Sequence, residues 1–372
     1  MIRKLGLVLS FCVALCSCAP RGTITISPEA ARTGEVTEVL VATSRRPTAD
    51  GTGLSSARSL TLHWGAFAIS VPPERQTGTI TFPRHGKPDP ETDFLTVSEQ
   101  HFADEPAFLR ALNARLVQRP PGAREVTIFV HGFNTNFAEG LYRHAQMTHD
   151  FATPGVALSY AWPSAASMRG YAYDRESALF ARDGLEKVLT LVARSKADNV
   201  ILAGHSMGAL LVMEAVRQIA IRGSDSVLDK LRAVVLLSPD LDIDVFRSQV
   251  SALRPREMPI YIAVSGRDRA LWISGLLRGR TERLGALRDT GRVADLPGVI
   301  VIDLSDVRGT GDRLNHFAVA TSPELIALIG GIDRFGATIL RDDNRQSNVF
   351  EATVNVVAGV SEAVLLPLAG PQ

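Results

Sequence analysis

Cysteine is scarce in this chain and confined to one end. The 372 residues include three cysteines, Cys12, Cys16 and Cys18, all near the N-terminus. No disulfide framework or paired-cysteine metal site can be built downstream of them, so stability must come from a packed core. A charge excess is missing too: 40 basic residues oppose 39 acidic ones, for a net charge of +1. That excludes the basic surface of a typical nucleic-acid binder, and no charged block marks an interaction tail. No apolar run reaches the roughly 18 residues of a membrane-spanning helix. There is no repeat of 20–50 residues, no H-E-x-x-H, and no G-x-G-x-x-G following a strand. Neither a metal nor an organic cofactor is therefore expected.

What is present begins with the leader "MIRKLGLVLSFCVALCSCAP". Arg3 and Lys4 precede an apolar stretch from Leu5 to Leu15, the pattern of a secretory signal. Leu15-Cys16-Ser17-Cys18 resembles a bacterial lipobox. That resemblance implies a signal peptide at 1–17, cleavage before Cys18 and acylation of its thiol. An uncleaved N-terminal anchor is the rival interpretation. Ala19 at the position after the cysteine implies a lipid anchor in the outer membrane of a Gram-negative cell, facing the periplasm. Residues 18–37 read as a tether rich in small and polar residues.

From 38 to 102 the pattern is β-like, with "EVLVATSRRP", "SLTLHWGAFAISVP" and "GTITFP" as short alternating or apolar runs. The period then changes. "PAFLRALNARLVQ" predicts an amphipathic helix through Phe108, Leu109, Leu112 and Leu116. Six apolar runs follow: "EVTIFV", "GVALSYAW", "NVILAG", "AVVLLS", "IYIAVSG" and "VIVIDL". Helical patterns, such as Ser177 to Ala193 and Ala209 to Ile221, separate most of them. This alternation predicts an α/β domain over 38–335, with a mostly parallel central sheet and helices on both faces. Pro323 to Ile329 reads as its last helix, and 336–372 as a C-terminal appendage.

Gly204-His205-Ser206-Met207-Gly208 fits G-x-S-x-G between an apolar strand and a helix. Such an elbow needs small residues two positions to either side of the serine, where backbones crowd. Ser206 is the candidate nucleophile. A serine hydroxyl needs a base, and of eight histidines only His316 follows Ser206 in the chain. The order nucleophile, acid, histidine makes Asp268, after the fifth of the six runs, the expected acid. Asp240, after the fourth, is its rival. The oxyanion hole needs two backbone donors. Met207 supplies one; the "HGF" at 131–133 offers the amide of Phe133 as the other, with His131 orienting the loop. Trp162 is a candidate substrate-pocket wall, with core packing as its alternative. Asp174 reads as a helix cap, and Leu271 to Leu277 as a pocket wall, a lid or a buried helix.

With these stretches in place the chain resembles the α/β-hydrolases, and among them a bacterial esterase/lipase-like family without an assigned function. "VATSRRP", "ISVPPERQTG", "VTIFVHGFNTNF", "YAWPSAAS", "YAYDRESA", "VILAGHSMG", "LLSPDLDIDVF" and "VSGRDRAL" carry the resemblance, over roughly Leu40 to Ile329. It implies the α/β-hydrolase fold and a Ser206, His316, Asp268 triad, but no particular substrate. The expected activity is serine-dependent hydrolysis of a small-molecule or lipid carboxylic ester through an acyl-enzyme. Thioester or amide cleavage and acyl transfer use the same apparatus. A non-catalytic envelope binding protein is the alternative from another class.

Overall fold

The apolar runs become strands. In the computed structural model the described residues are 21–83, 87–253, 258–268, 270–271, 274–275, 282–305 and 321, with the strands at 352–355 and 364–367. The first three strands are β1 (Glu35–Pro47), β2 (Leu54–Val71) and β3 (Leu95–Phe102). Helix α1 (Glu105–Leu116), strand β4 (Glu125–Val130), helix α2 (Phe137–Asp150) and strand β5 (Val156–Ala161) follow. Then come α3 (Tyr171–Ala193), β6 (Asn199–His205), α4 (Met207–Ile221), β7 (Leu231–Leu237) and α5 (Ile243–Ser251). Strands β8 (Ile260–Val264) and β9 (Val299–Asp303) complete the alternation, and the tail adds β10 (Ala352–Asn355) and β11 (Val364–Pro367).

One sheet holds them all, in the order β11-β10-β9-β8-β7-β6-β4-β5-β1-β2-β3. Every neighbouring pair from β10 to β1 is parallel, whereas β2, β3 and β11 run antiparallel at the edges. All six residues of β5 are buried, and five of six in β4. That is why these strands read as continuous apolar runs rather than alternating ones. On one face the buried side chains of α1, α3, α4 and α5 form a cluster around Ile128, Leu158, Leu202 and Val234. On the other, Leu141, Tyr142 and Ala145 of α2 pack on Val39, Val41 and Ala157. No helix among the described residues is long and apolar enough to cross a membrane.

Several expectations change. "GTITFP" is not a strand. Phe82 stacks on Tyr142 of α2, with ring centroids 5.5 Å apart, so its alternation serves packing on a helix instead of a ladder. The third N-terminal strand is β3, whose exposed residues Ser98, Glu99, Gln100 and His101 hide it from a hydrophobicity reading. Helix α3 starts at Tyr171, six residues before the pattern becomes evident. The supposed tether is folded in its described part. Ser27 donates its amide to Thr96 O (2.8 Å), Pro28–Arg32 forms a 3-10 turn, and Ala30 is fully buried. The described residues of the tail extend the sheet, β10 pairing with β9. The helix expected at Pro323 to Ile329 lies outside the described residues.

Candidate active site

Strand β6 ends in a turn whose central residue carries unusual backbone angles. Ser206 has φ 53° and ψ −119°, a region that costs a non-glycine residue about 1–3 kcal/mol. Neighbouring backbone holds it there. Its amide donates to Leu237 O (2.9 Å), and its carbonyl accepts from Ala209 N (3.0 Å) and Asp240 N (3.1 Å). The flanking glycines have a steric reason. A Cβ on Gly204 would lie 2.8 Å from the Ala209 Cα, and one on Gly208 would lie 2.4 Å from both Val130 O and His131 O. Ser206 thereby caps α4 with the positive end of that helix beside it. Met207, its first residue, is fully buried.

The loop after β4 comes close to this turn. A Cβ on Gly132 would meet His205 Nδ1 at 2.6 Å and Ser206 Cβ at 3.0 Å. Only glycine lets this backbone approach the serine so closely. Behind it, His131 stacks on Trp162 with centroids 5.0 Å apart, and Trp162 Nε1 donates to His131 O (2.7 Å). Burial, reinforced by the charge of Arg45, lowers the His131 imidazole to about 3, so it is neutral at physiological pH. Trp162 is completely buried. It braces the loop from behind, packed against His131. The Phe133 ring rests edge-on against Tyr171, 5.3 Å away.

The two candidate acids differ sharply. Asp240 Oδ1 accepts from Arg283 Nε (2.7 Å) and Ser274 Oγ (2.8 Å), and its Oδ2 accepts from Tyr171 OH (2.7 Å). Burial pushes its carboxyl up, but the Arg283 charge and these bonds overcome that and hold it below the usual range. Arg283 is itself buried. Asp240 is therefore committed to a structural ion pair. Asp268 sits in the turn after β8, is 2% exposed, and accepts from Leu271 N at 3.0 Å. In the same turn Gly266 N donates to Ser305 Oγ (2.9 Å), which ties the start of the segment leading to His316. His316 itself lies outside the described residues, as does Cys18. Of the stretch Leu271 to Leu277, the described Leu271 and Ser274 are buried.

Other residues at this end of the sheet escaped the sequence reading. Asp174 is no simple cap: fully buried, it accepts from Ala165 N, Asn134 N and Ser164 Oγ. Burial raises its carboxyl above the ordinary range despite those bonds and the Arg45 charge. Arg45, 2% exposed, donates through Nη2 to Thr135 O at 2.8 Å. Arg21 donates to both Asn134 O and Asn134 Oδ1 at 2.9 Å. A cavity of about 250 Å³ borders Gly132 and His205 and is also lined by Ile80, Phe82, Phe129 and Arg143. Among the described residues no three His, Cys, Asp or Glu side chains gather as metal ligands.

A strained serine at a strand-to-helix turn, met by a glycine loop from the neighbouring parallel strand, is the architecture of an α/β-hydrolase site. The family model described as "Alpha/beta hydrolase of unknown function (DUF900)" matches residues 105–332. The chain belongs to this family. As a DUF900 member it places all of its α/β alternation, from α1 onward through β9, inside the matched segment. No curated protein matches it. Solved structures similar to this DUF900 chain include a CIB-like hydrolase from Thermoplasma acidophilum, at 15% identity and TM-score 0.38, covering 58% of this chain and 89% of that one. Another is a propionate-bound esterase from Thermogutta terrifontis, at 11% identity and TM-score 0.34, covering 82% and 94%. An esterase B from Lactobacillus rhamnosis has 12% identity and TM-score 0.30, covering 60% and 82%.

Proposed function

We propose that the protein is a serine hydrolase acting on carboxylic esters. The observation that carries this is the backbone of Ser206, held at φ 53° with the Gly132 loop against it. Strain at a strand-to-helix turn, with the following helix opening at the serine, is how a nucleophile elbow presents its hydroxyl. In the proposed reaction Ser206 Oγ attacks the ester carbonyl while His316 takes its proton. The amides of Phe133 and Met207 receive the charge that develops on the carbonyl oxygen. His316 then passes the proton to the departing alkoxide, leaving an acyl-enzyme. Water, deprotonated by the same histidine, attacks it, releases the carboxylic acid and restores Ser206.

Asp268 is the acid we assign to His316. Its position after β8 supports this, as does the commitment of Asp240 to Arg283, which neutralises the charge an imidazolium would need. We propose further that Cys18 is acylated and anchors the enzyme in the outer membrane, toward the periplasm.

A fluorophosphonate probe tests the nucleophile. Labelling of the native protein that vanishes in Ser206→Ala is expected; a folded native protein that takes no label would make it a binding protein of the same fold. Nitrophenyl esters of increasing chain length, a thioester and a peptide amide then rank the substrate classes. If Asp240→Ala keeps its fold and loses all turnover while Asp268→Ala retains it, the acid has been assigned to the wrong strand.

A further inference from the structure

We propose that Asp174, Ser164 and Arg45 are positioning residues that hold the oxyanion loop in its working shape. The inference rests on the Ser206 assignment and adds three residues outside the triad to the machinery. An oxyanion donor works only when its N–H is aimed, within a few tenths of an ångström, at where the charge will develop. Phe133 N belongs to the six-residue loop between β4 and α2, with no ladder of its own to hold it.

Three of the four backbone groups just after Phe133 are held by buried side chains; the fourth, Asn134 O, accepts from the exposed Arg21. Asn134 N donates to Asp174 Oδ2 (3.2 Å), and Thr135 N donates to Ser164 Oγ (3.2 Å). Thr135 O accepts from Arg45 Nη2 (2.8 Å). The holders are joined to one another. Ser164 Oγ donates to Asp174 Oδ2 at 2.6 Å, and Arg45 Nη1 donates to Ser164 O at 3.2 Å. They come from three separate elements: the end of β1, the connection after β5 and the first turn of α3. Asn134 itself sits at φ 54°, in the left-handed region that asparagine adopts more readily than most non-glycine residues.

Stability alone does not account for this cluster. Burying a carboxylate and a guanidinium is costly, and apolar residues of the same volume commonly serve a fold as well. What the charged pair provides is direction: fixed acceptors for two loop amides and a fixed donor for a loop carbonyl. Arg45 also balances a carboxylate that would otherwise oppose an oxyanion nearby.

The test uses the full-length protein and a matched pair of substrates, a p-nitrophenyl ester and its thionoester. A thiocarbonyl sulfur gains much less from N–H donors than an oxygen does. The ratio of kcat/KM between the two therefore reports on the oxyanion hole and not on general packing. Asp174→Asn and Ser164→Ala should lower kcat on the oxoester by about 10- to 100-fold, with KM within about threefold. The oxo-to-thiono ratio should fall in step. Should Asp174→Asn fail to fold, Ser164→Ala carries the test, since it removes only a hydroxyl. Folded variants whose ratio equals that of the native enzyme overturn the positioning role and leave the nucleophile standing. Native protein that neither turns over esters nor takes the fluorophosphonate label overturns both.

Discussion

Replacing Gly208 by alanine sets two effects of opposite sign against each other. In an exposed helix the change stabilises by about 1 kcal/mol, because glycine loses more backbone freedom on folding. Here the new Cβ would lie 2.4 Å from the carbonyl oxygens of both Val130 and His131. Ordinary contact begins near 3.4 Å, so the first turn of α4 and the end of β4 must separate by about 1 Å. Both obstacles are backbone, and neither can rotate away. Overpacking of this kind costs about 1–3 kcal/mol, which reverses the helix gain. The displaced segment is the one that leads into Gly132 and Phe133, and a 1 Å misplacement in a catalytic constellation costs on the order of 100-fold in rate. Urea denaturation should show a lower midpoint with an unchanged m-value. Turnover of a p-nitrophenyl ester should fall about 100-fold or more. Gly53→Ala, where nothing lies within 4 Å of the new methyl, is the control and should change neither. A Gly208→Ala protein with native turnover would refute the placement of the loop against the nucleophile.

Two further outcomes follow from the buried charges. His131 and His144 are both buried, and desolvation lowers each imidazole to about 3. Below their unfolded value near 6.5 the unfolded chain binds protons that the folded chain refuses, so stability is lost as pH falls. Between pH 6.5 and 5 the loss is about 1.6 kcal/mol per histidine; a thermal-melt series over that window checks it, and His144→Gln should remove about half of their combined contribution. Arg283→Met strands the buried Asp240 carboxylate and should cost about 3–5 kcal/mol, whereas the double variant with Asp240→Asn should cost less than the sum, as measured by a denaturant double-mutant cycle.

The parts of the molecule legible in the sequence are those whose causes are local. Strands β4 to β8 are mostly buried on both faces and so appear as apolar runs, and the elbow appears because Gly204 and Gly208 answer a crowding within five residues. Residues with distant causes did not appear. Asp174 looks like an ordinary cap until Asn134, forty positions earlier, is seen donating to it. Arg45, at the end of a strand, looks solvated, yet it is among the largest fully enclosed side chains. Nothing local in the sequence says that Trp162 stacks on His131, thirty-one positions earlier. Arg283 carries no local signal at all; its partner lies 43 residues away.

The chain's first described residue touches the site directly. Arg21 grips Asn134, and the next residues are fastened to α2, where Gly22 N donates to Glu139 Oε1 (3.1 Å) and Asn136 Nδ2 to Gly22 O (2.8 Å). Cys18 precedes Arg21 by three positions, a span of at most about 11 Å of extended chain. An acyl group there would leave the protein no slack to swing. On the proposed acylation of Cys18, the rim that carries Asn134 would lie within a few residues of the anchor.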